Sequence, residues 1–245
     1  MAFLLEAMKE SRQTSTAEML QLAHRIHDTE QQKLNGTTAW CTEEQRLLSE
    51  LKAGLPDSIR QLFWADWCII LNHNLPREYV YADYDFLIDE QGYRRMFTWT
   101  QGDGSTVDIG YWNLQPHLGE GSEGSITFRM TNRYHQGLYL AQVTNEAAGR
   151  HGCDPRHVHG IRGEAENENV ARNWELEPAF NVCEECFYVK NSAFGASEYL
   201  YAPNNVKFDP FRRHSLTAEI ECTDVHNNNV WEVMCVSGDE RISLV

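Results

Sequence analysis

No stretch of this 245-residue chain approaches the roughly 18 to 20 consecutive apolar side chains that a membrane-crossing helix requires, so no membrane span is expected. Basic charge is scarce too: 21 Lys and Arg stand against 36 Asp and Glu, a net charge of −15. A surface of that sign repels phosphate backbones, which argues against nucleic acid as a partner. No basic stripe offsets it, because Arg94-Arg95 and Arg212-Arg213 read as isolated, solvated loop pairs. Enzyme motifs are missing as well, with no Gly-x-Ser-x-Gly elbow, no phosphate loop and no His-Glu-x-x-His. The glycines of Gly102-Asp103-Gly104-Ser105 precede no helical pattern and so imply no anion cradle. Carboxylate pairs such as Asp83 with Asp85 are what so acidic a chain contains anyway. The expectation is a non-enzymatic protein with no cofactor.

A secretory leader is not legible. Met1 to Leu5 are apolar, but Glu6 and Lys9 interrupt well before the hydrophobic region of about 7 to 15 residues that export requires. Two origins stay open: an extracellular protein whose leader was removed, or a cytoplasmic one.

Seven cysteines are an odd number. Cys183-Glu184-Glu185-Cys186 fits a small disulfide, half a zinc site or two free thiols, and a redox centre is not expected without a βαβ context. A denser cluster runs from His151 to His159. Within it His151, Cys153, His157 and His159 are metal-type ligands, and His157 and His159 share a face if that piece is a strand. Their spacing matches no common zinc signature, so the reading is a solvated loop with incidental histidines and no metal.

What the chain does have is a threefold repetition with a period near 60 residues. Asn72, Asn132 and Asn191 each close a short apolar run, and 7, 7 and 8 residues later stand Tyr79, Tyr139 and Tyr199. From the same asparagines it is 40, 42 and 40 residues to Trp112, Trp174 and Trp231. Landmarks that keep register over three copies indicate one supersecondary unit used three times. Each copy reads as about four short strands, built for example on Ile69–Leu71, the Tyr phrases, Met96–Trp99 and the Trp phrases. The expected fold is therefore α+β: a short helical domain at residues 1–65, then a 12-stranded β-trefoil at residues 66–245 with pseudo-threefold symmetry. The copies fall at about 66–122, 123–182 and 183–245.

In such a barrel one interior position recurs once per copy, so the three tryptophans are expected in the core. Ricin-type lectin trefoils carry Gln two residues before that Trp. Here Gly110, Arg172 and Asn229 occupy those places, and that sugar-binding signature is absent.

The front segment reads as helical. Ser15-Thr16-Ala17-Glu18 fits a capping box ahead of Met19, Leu22, Ala23 and Ile26, and Asn35-Gly36 offers a stop. Thr42-Glu43-Glu44-Gln45 opens a second helix that Gly54 and Pro56 end, and Asp57 is placed as the cap of a last turn or two through Phe63. The crevice between these helices and the barrel is the expected ligand site, with Trp64 and Trp67 as candidate lining residues.

The phrases Phe128-Arg-Met-Thr-Asn132, Gly137-Leu-Tyr-Leu140, Asn173-Trp-Glu-Leu-Glu-Pro178 and Phe187-Tyr-Val-Lys-Asn191, behind a helical segment, resemble the insect thirty-kilodalton hemolymph lipoproteins, the low-molecular-weight storage and microvitellogenin-like family. The similarity is clearest from about Ile126 to Ala202. The resemblance implies a secreted hemolymph carrier or storage protein that binds lipid or carbohydrate, with no catalytic residue. The alternative from another class is a trefoil interaction module that holds a protein partner with the loops at one end of the barrel. A trefoil protease inhibitor, offering one exposed loop, ranks below both.

Overall fold

The computed structural model describes residues 16–36, 42–75, 77–83, 88, 92–99, 106–118, 126–143, 156–163, 170–191, 193, 198–202, 214–220, 228–238 and 241–242. Three helices come first: α1 (Thr16–Asn35), α2 (Thr42–Ala53) and α3 (Asp57–Trp64). The helix α1 buries Leu22, Ala23 and Ile26 along one stripe, and Gly36 follows it with its amide on the Lys33 carbonyl (3.3 Å). The capping residue Ser15 lies outside the described residues. At α3 the expected cap is corrected: Pro56 holds the N-cap position and no side chain caps the helix, while Asp57 is the first helical residue and pairs with Arg60. Proline suits that edge because its fixed φ (here −55°) is compatible with the entry to a helix and it has no N–H to leave unpaired.

The strands follow: β1 (Trp67–Asn72), β2 (Tyr79–Ala82), β3 (Arg94–Trp99), β4 (Trp112–Leu118), β5 (Ile126–Asn132), β6 (Leu138–Val143), β7 (Arg156–Arg162), β8 (Val170–Ala171), β9 (Asn173–Pro178), β10 (Cys186–Asn191), β11 (Glu198–Tyr201), β12 (His214–Ser215), β13 (Thr217–Ile220) and β14 (Val230–Val236). Among the described residues two of these fourteen, β8 and β12, are two-residue pieces that extend hairpins already present.

Six strands close on themselves. Antiparallel pairing runs β1 to β4, β4 to β5, β5 to β9, β9 to β10, β10 to β14, and β14 back to β1. Closure leaves no exposed edge in the ring. The remaining long strands form three antiparallel hairpins, β2/β3, β6/β7 and β11/β13. Each hairpin leaves the ring at an equivalent place: Tyr79 pairs with Leu71, Tyr139 with Thr131 and Tyr199 with Lys190. The hairpins also touch one another, through Arg95 opposite His159, Thr217 opposite His157, and His214 opposite Thr98.

The tryptophan landmarks sit at matching sites. Trp112, Trp174 and Trp231 are fully buried, and each indole N–H donates to a hairpin carbonyl: Val80 (3.0 Å), Leu140 (2.9 Å) and Leu200 (2.9 Å). Burying a ring of that size is worth about 4 to 6 kcal/mol of gross transfer free energy, so three such rings carry much of the core. The asparagine landmarks also act alike. The Asn72 side-chain oxygen accepts from the amides of Asn74 and Leu75, that of Asn132 from Tyr134 and His135, and that of Asn191 from Ala193. Each thereby closes the turn that leaves its strand.

Gly110 explains one departure from threefold sameness. A Cβ there would stand 2.1 Å from the ring of the buried Tyr79, so only glycine fits. Arg94 corrects an expectation: it is a strand residue, 2% exposed, whose guanidinium donates to the Asp83 carbonyl. The pair Arg94-Arg95 looked solvated because charge usually stays outside, but a guanidinium is tolerated inside when it finds an acceptor. Arg212 and Arg213 lie outside the described residues.

Helices and ring share one core. Leu20, Ala23, Ile26, Leu51, Ile59, Leu62 and Phe63 belong to the same apolar cluster as Phe128, Trp174 and Trp231, and the rings of Phe63 and Phe128 meet edge to face at 5.4 Å. A disulfide, Cys68–Cys235, joins the directly opposed residues of β1 and β14, the first and last strands of the ring.

Candidate functional site

A groove of about 550 Å³ runs between the helices and the ring. On α1 it takes His24, His27, Asp28 and Gln31, whose spacing of three, four and seven puts them on one stripe beside the buried stripe. The end of α3 adds Phe63 and Trp64, the connection to β1 adds Ala65 and Asp66, and β4 adds Asn113, Leu114, Gln115 and Pro116. Because α3 and β4 both pack on the shared core, the two walls are held at a set separation. A smaller hollow between α1 and α2, lined by Glu30, Leu34, Gln45, Leu48 and Ser49, lacks that contact with the ring.

Trp64 is fixed in place. Its indole N–H donates to Glu30 Oε2 (2.5 Å), and the Lys52 ammonium, itself 3.6 Å from Glu30, lies 4.2 Å from the ring centroid. His27 meets the same indole edge-on at 5.9 Å, and Asn113 donates its amide to the Asp66 carbonyl (3.0 Å). Burial lowers the affinity of His24 and His27 for protons. For His24 the Asp28 carboxylate opposes that effect and His117 adds to it; for His27 Glu30 opposes it most. At neutral pH both rings are uncharged, and each presents one donor and one acceptor. The groove thus combines an aromatic wall with amides, carboxylates and neutral imidazoles, groups that can offer ring contact and hydrogen bonds to a small polar molecule.

Of the two residues singled out from sequence, Trp64 lines this groove and Trp67 does not. Trp67 lies in β1, packs beside the cluster of Ile69 and Leu71, and is covered by the Arg133 guanidinium at 5.3 Å. The histidines of α1 and the amides of β4 were missed. The signal was there in a polar stripe at positions 24, 27, 28 and 31 running beside an apolar one.

The metal-type cluster from His151 to His159 is only partly within view. His151 and Cys153 lie outside the described residues, the His157 backbone pairs opposite Thr217, and the His159 ring packs against Tyr93 at 5.9 Å. Among the described residues, donor atoms of metal-ligand type converge instead at His73, Cys183, Cys186 and Glu232, where Cys183 and Cys186 are joined by a disulfide. No described helix is long and apolar enough to cross a membrane.

No protein-family model matches the chain, and no curated protein matches it. Solved structures do resemble it. A mosquitocidal holotoxin is 14% identical with a TM-score of 0.50, over 71% of this chain and 18% of its own. The S. cerevisiae protein O-mannosyltransferase complex bound to the sugar donor is 13% identical with a TM-score of 0.50, over 73% of this chain and 26% of its own. A Caenorhabditis elegans protein of unknown function is 12% identical with a TM-score of 0.48, over 69% of this chain and 93% of its own. At such identities the likeness concerns the fold alone: a β-rich body accounting for about 70% of the chain.

Proposed function

We propose that this chain is a β-trefoil binding protein without catalytic activity, and that the groove between helices and barrel holds a carbohydrate. The trefoil reading draws support from the closed six-strand ring, the three hairpins leaving it at equivalent tyrosines, and the three equivalent Trp-to-carbonyl hydrogen bonds. The carbohydrate reading rests on one observation: the groove sets Trp64 beside Asp28, Gln31, Asn113 and Gln115. A sugar offers an apolar C–H face to a ring and hydroxyls to amides and carboxylates, and that lining matches both. A lipid chain would want a wall without those polar groups. An extracellular setting, such as the insect hemolymph implied by the sequence resemblance, accords with the two disulfides.

A glycan array probed with the full chain and with Trp64→Ala and Asn113→Ala tests the reading. Binding to a defined set of glycans is expected, weakened tenfold or more by either substitution. Native material that yields lipid on extraction, together with an array without signal, overturns the carbohydrate assignment and favours the lipid-carrier form of the hemolymph resemblance. Signal that neither substitution alters overturns the groove.

A further inference from the structure

None of the groove's lining residues takes part in a second cluster, in which strand pairing collects four side chains of the zinc-ligand type. Cys186 opens β10 and stands directly opposite Glu232 of β14. His73 follows β1, whose last residue Asn72 pairs with Trp231 beside Glu232, and the His73 amide donates to the Val230 carbonyl (3.0 Å). Cys183 belongs to the turn that enters β10, closed by the Cys186 amide on the Cys183 carbonyl (3.2 Å). The donor atoms of all four lie within 4.8 Å of one another. His73 Nδ1 is 2.6 Å from Glu232 Oε1 and 3.7 Å from Cys186 Sγ. Three neighbouring strands of one closed ring hold them, so the cluster is part of the barrel frame.

We propose that reduction of the Cys183–Cys186 disulfide turns this cluster into a zinc site whose ligands are the two thiolates, an imidazole nitrogen of His73 and the Glu232 carboxylate. Two cysteines, one histidine and one carboxylate are a donor set zinc accepts, and four-coordinate tetrahedral geometry is its usual structural form. With bonds of about 2.3 Å to sulfur and about 2.0 Å to nitrogen or oxygen, tetrahedral ligands stand roughly 3.3 to 3.8 Å apart. Once the S–S bond is broken, the sulfurs are free to take up that spacing. The Cα atoms, 5.1 Å apart in the turn, allow this by side-chain rotation. The other pair, His73 with Glu232, needs to move apart by less than about 1 Å.

The redox step balances with a dithiol as reductant. Its thiolate attacks Sγ of Cys183, the half-buried member of the pair, the S–S bond breaks, and Cys186 leaves as a thiolate. The second thiol of the reductant then displaces Cys183, and the reductant ends as a disulfide, having supplied two electrons and two protons. Zinc binding expels the two thiol protons. Opening this disulfide leaves the fold in place, because it closes a separation of only 3 residues and constrains the unfolded chain little, whereas Cys68–Cys235 spans 167.

The test loads the full chain with cobalt(II), which reports tetrahedral thiolate ligation by absorption. The protein is used in its disulfide form and after mild reduction by a phosphine, which leaves as its oxide. The reduced protein is expected to bind one cobalt per chain with a thiolate-to-cobalt charge-transfer band that zinc abolishes, and the oxidised protein to show no band. The variant Cys183→Ser/Cys186→Ser, which keeps Cys41, Cys153 and Cys222, is expected to lose the band. His73→Ala and Glu232→Gln are each expected to weaken cobalt at least tenfold. Failure of the reduced wild type to bind, survival of the band in the double serine variant, or affinity unchanged in both His73→Ala and Glu232→Gln overturns the proposal. Should the variants not fold, the oxidised and reduced wild type decide it, and loss of native circular dichroism on reduction counts against it.

Discussion

The indole N–H of Trp231 donates to the backbone carbonyl of Leu200 at 2.9 Å, 31 residues earlier in the chain and on the strand β11 that caps the ring. The same bond recurs from Trp174 to Leu140 and from Trp112 to Val80. Replacing any one of these tryptophans by Phe keeps most of the apolar volume but leaves a buried carbonyl without its donor. Each variant is expected to lose roughly 2 to 4 kcal/mol of stability in urea titrations, and the three losses should agree within about 1 kcal/mol. A position that tolerates Phe without loss would show that its site is not equivalent to the other two.

The two disulfides differ in what they hold. Cys68–Cys235 spans 167 residues and ties the first ring strand to the last, while Cys183–Cys186 spans 3. On loop-closure entropy the first contributes about 5 kcal/mol and the second about 2. Removing each as a double alanine variant should therefore lower the urea midpoint much more for the first pair. Equal losses would contradict the entropic account.

Acid should loosen the helices from the ring. Burial, working against Asp28 and Glu30, holds the His24 and His27 imidazoles below the usual histidine value in the folded chain. The unfolded chain takes up those protons first as pH falls. The stability they contribute is thus full above about pH 6.5 and is lost as pH drops through the lower folded values. Thermal unfolding between pH 8 and pH 5 should show this decline, and the double variant His24→Gln/His27→Gln should flatten it. An unchanged pH profile in that variant would assign the effect to other groups.

Much of the fold was legible because the landmarks are pairing residues. The Asn, Tyr and Trp of each copy keep their spacing because an Asn turn, a hairpin exit and an indole-to-carbonyl bond must recur at the same place around the ring. The helices were legible from apolar spacing and from Gly54 and Pro56. What was not legible depends on contacts distant in sequence. Arg94 looked solvated until the Asp83 carbonyl, 11 residues away, appeared beside it. For Cys183-x-x-Cys186 a small disulfide, half a zinc site and two free thiols all stayed open, since His73 lies 113 residues before Cys186 and Glu232 stands opposite it across a strand pair. The groove needed both walls, and nothing in local sequence says that the stripe at His24 and His27 faces Asn113 and Gln115.

The central claim, a carbohydrate held in the groove between helices and barrel, is tested most directly by nuclear magnetic resonance of the seven tryptophan indoles during titration with a glycan that the array selects. The account predicts that the Trp64 indole N–H signal shifts progressively while those of the buried Trp112, Trp174 and Trp231 stay in place. Saturation of the protein with no change at Trp64 would contradict it.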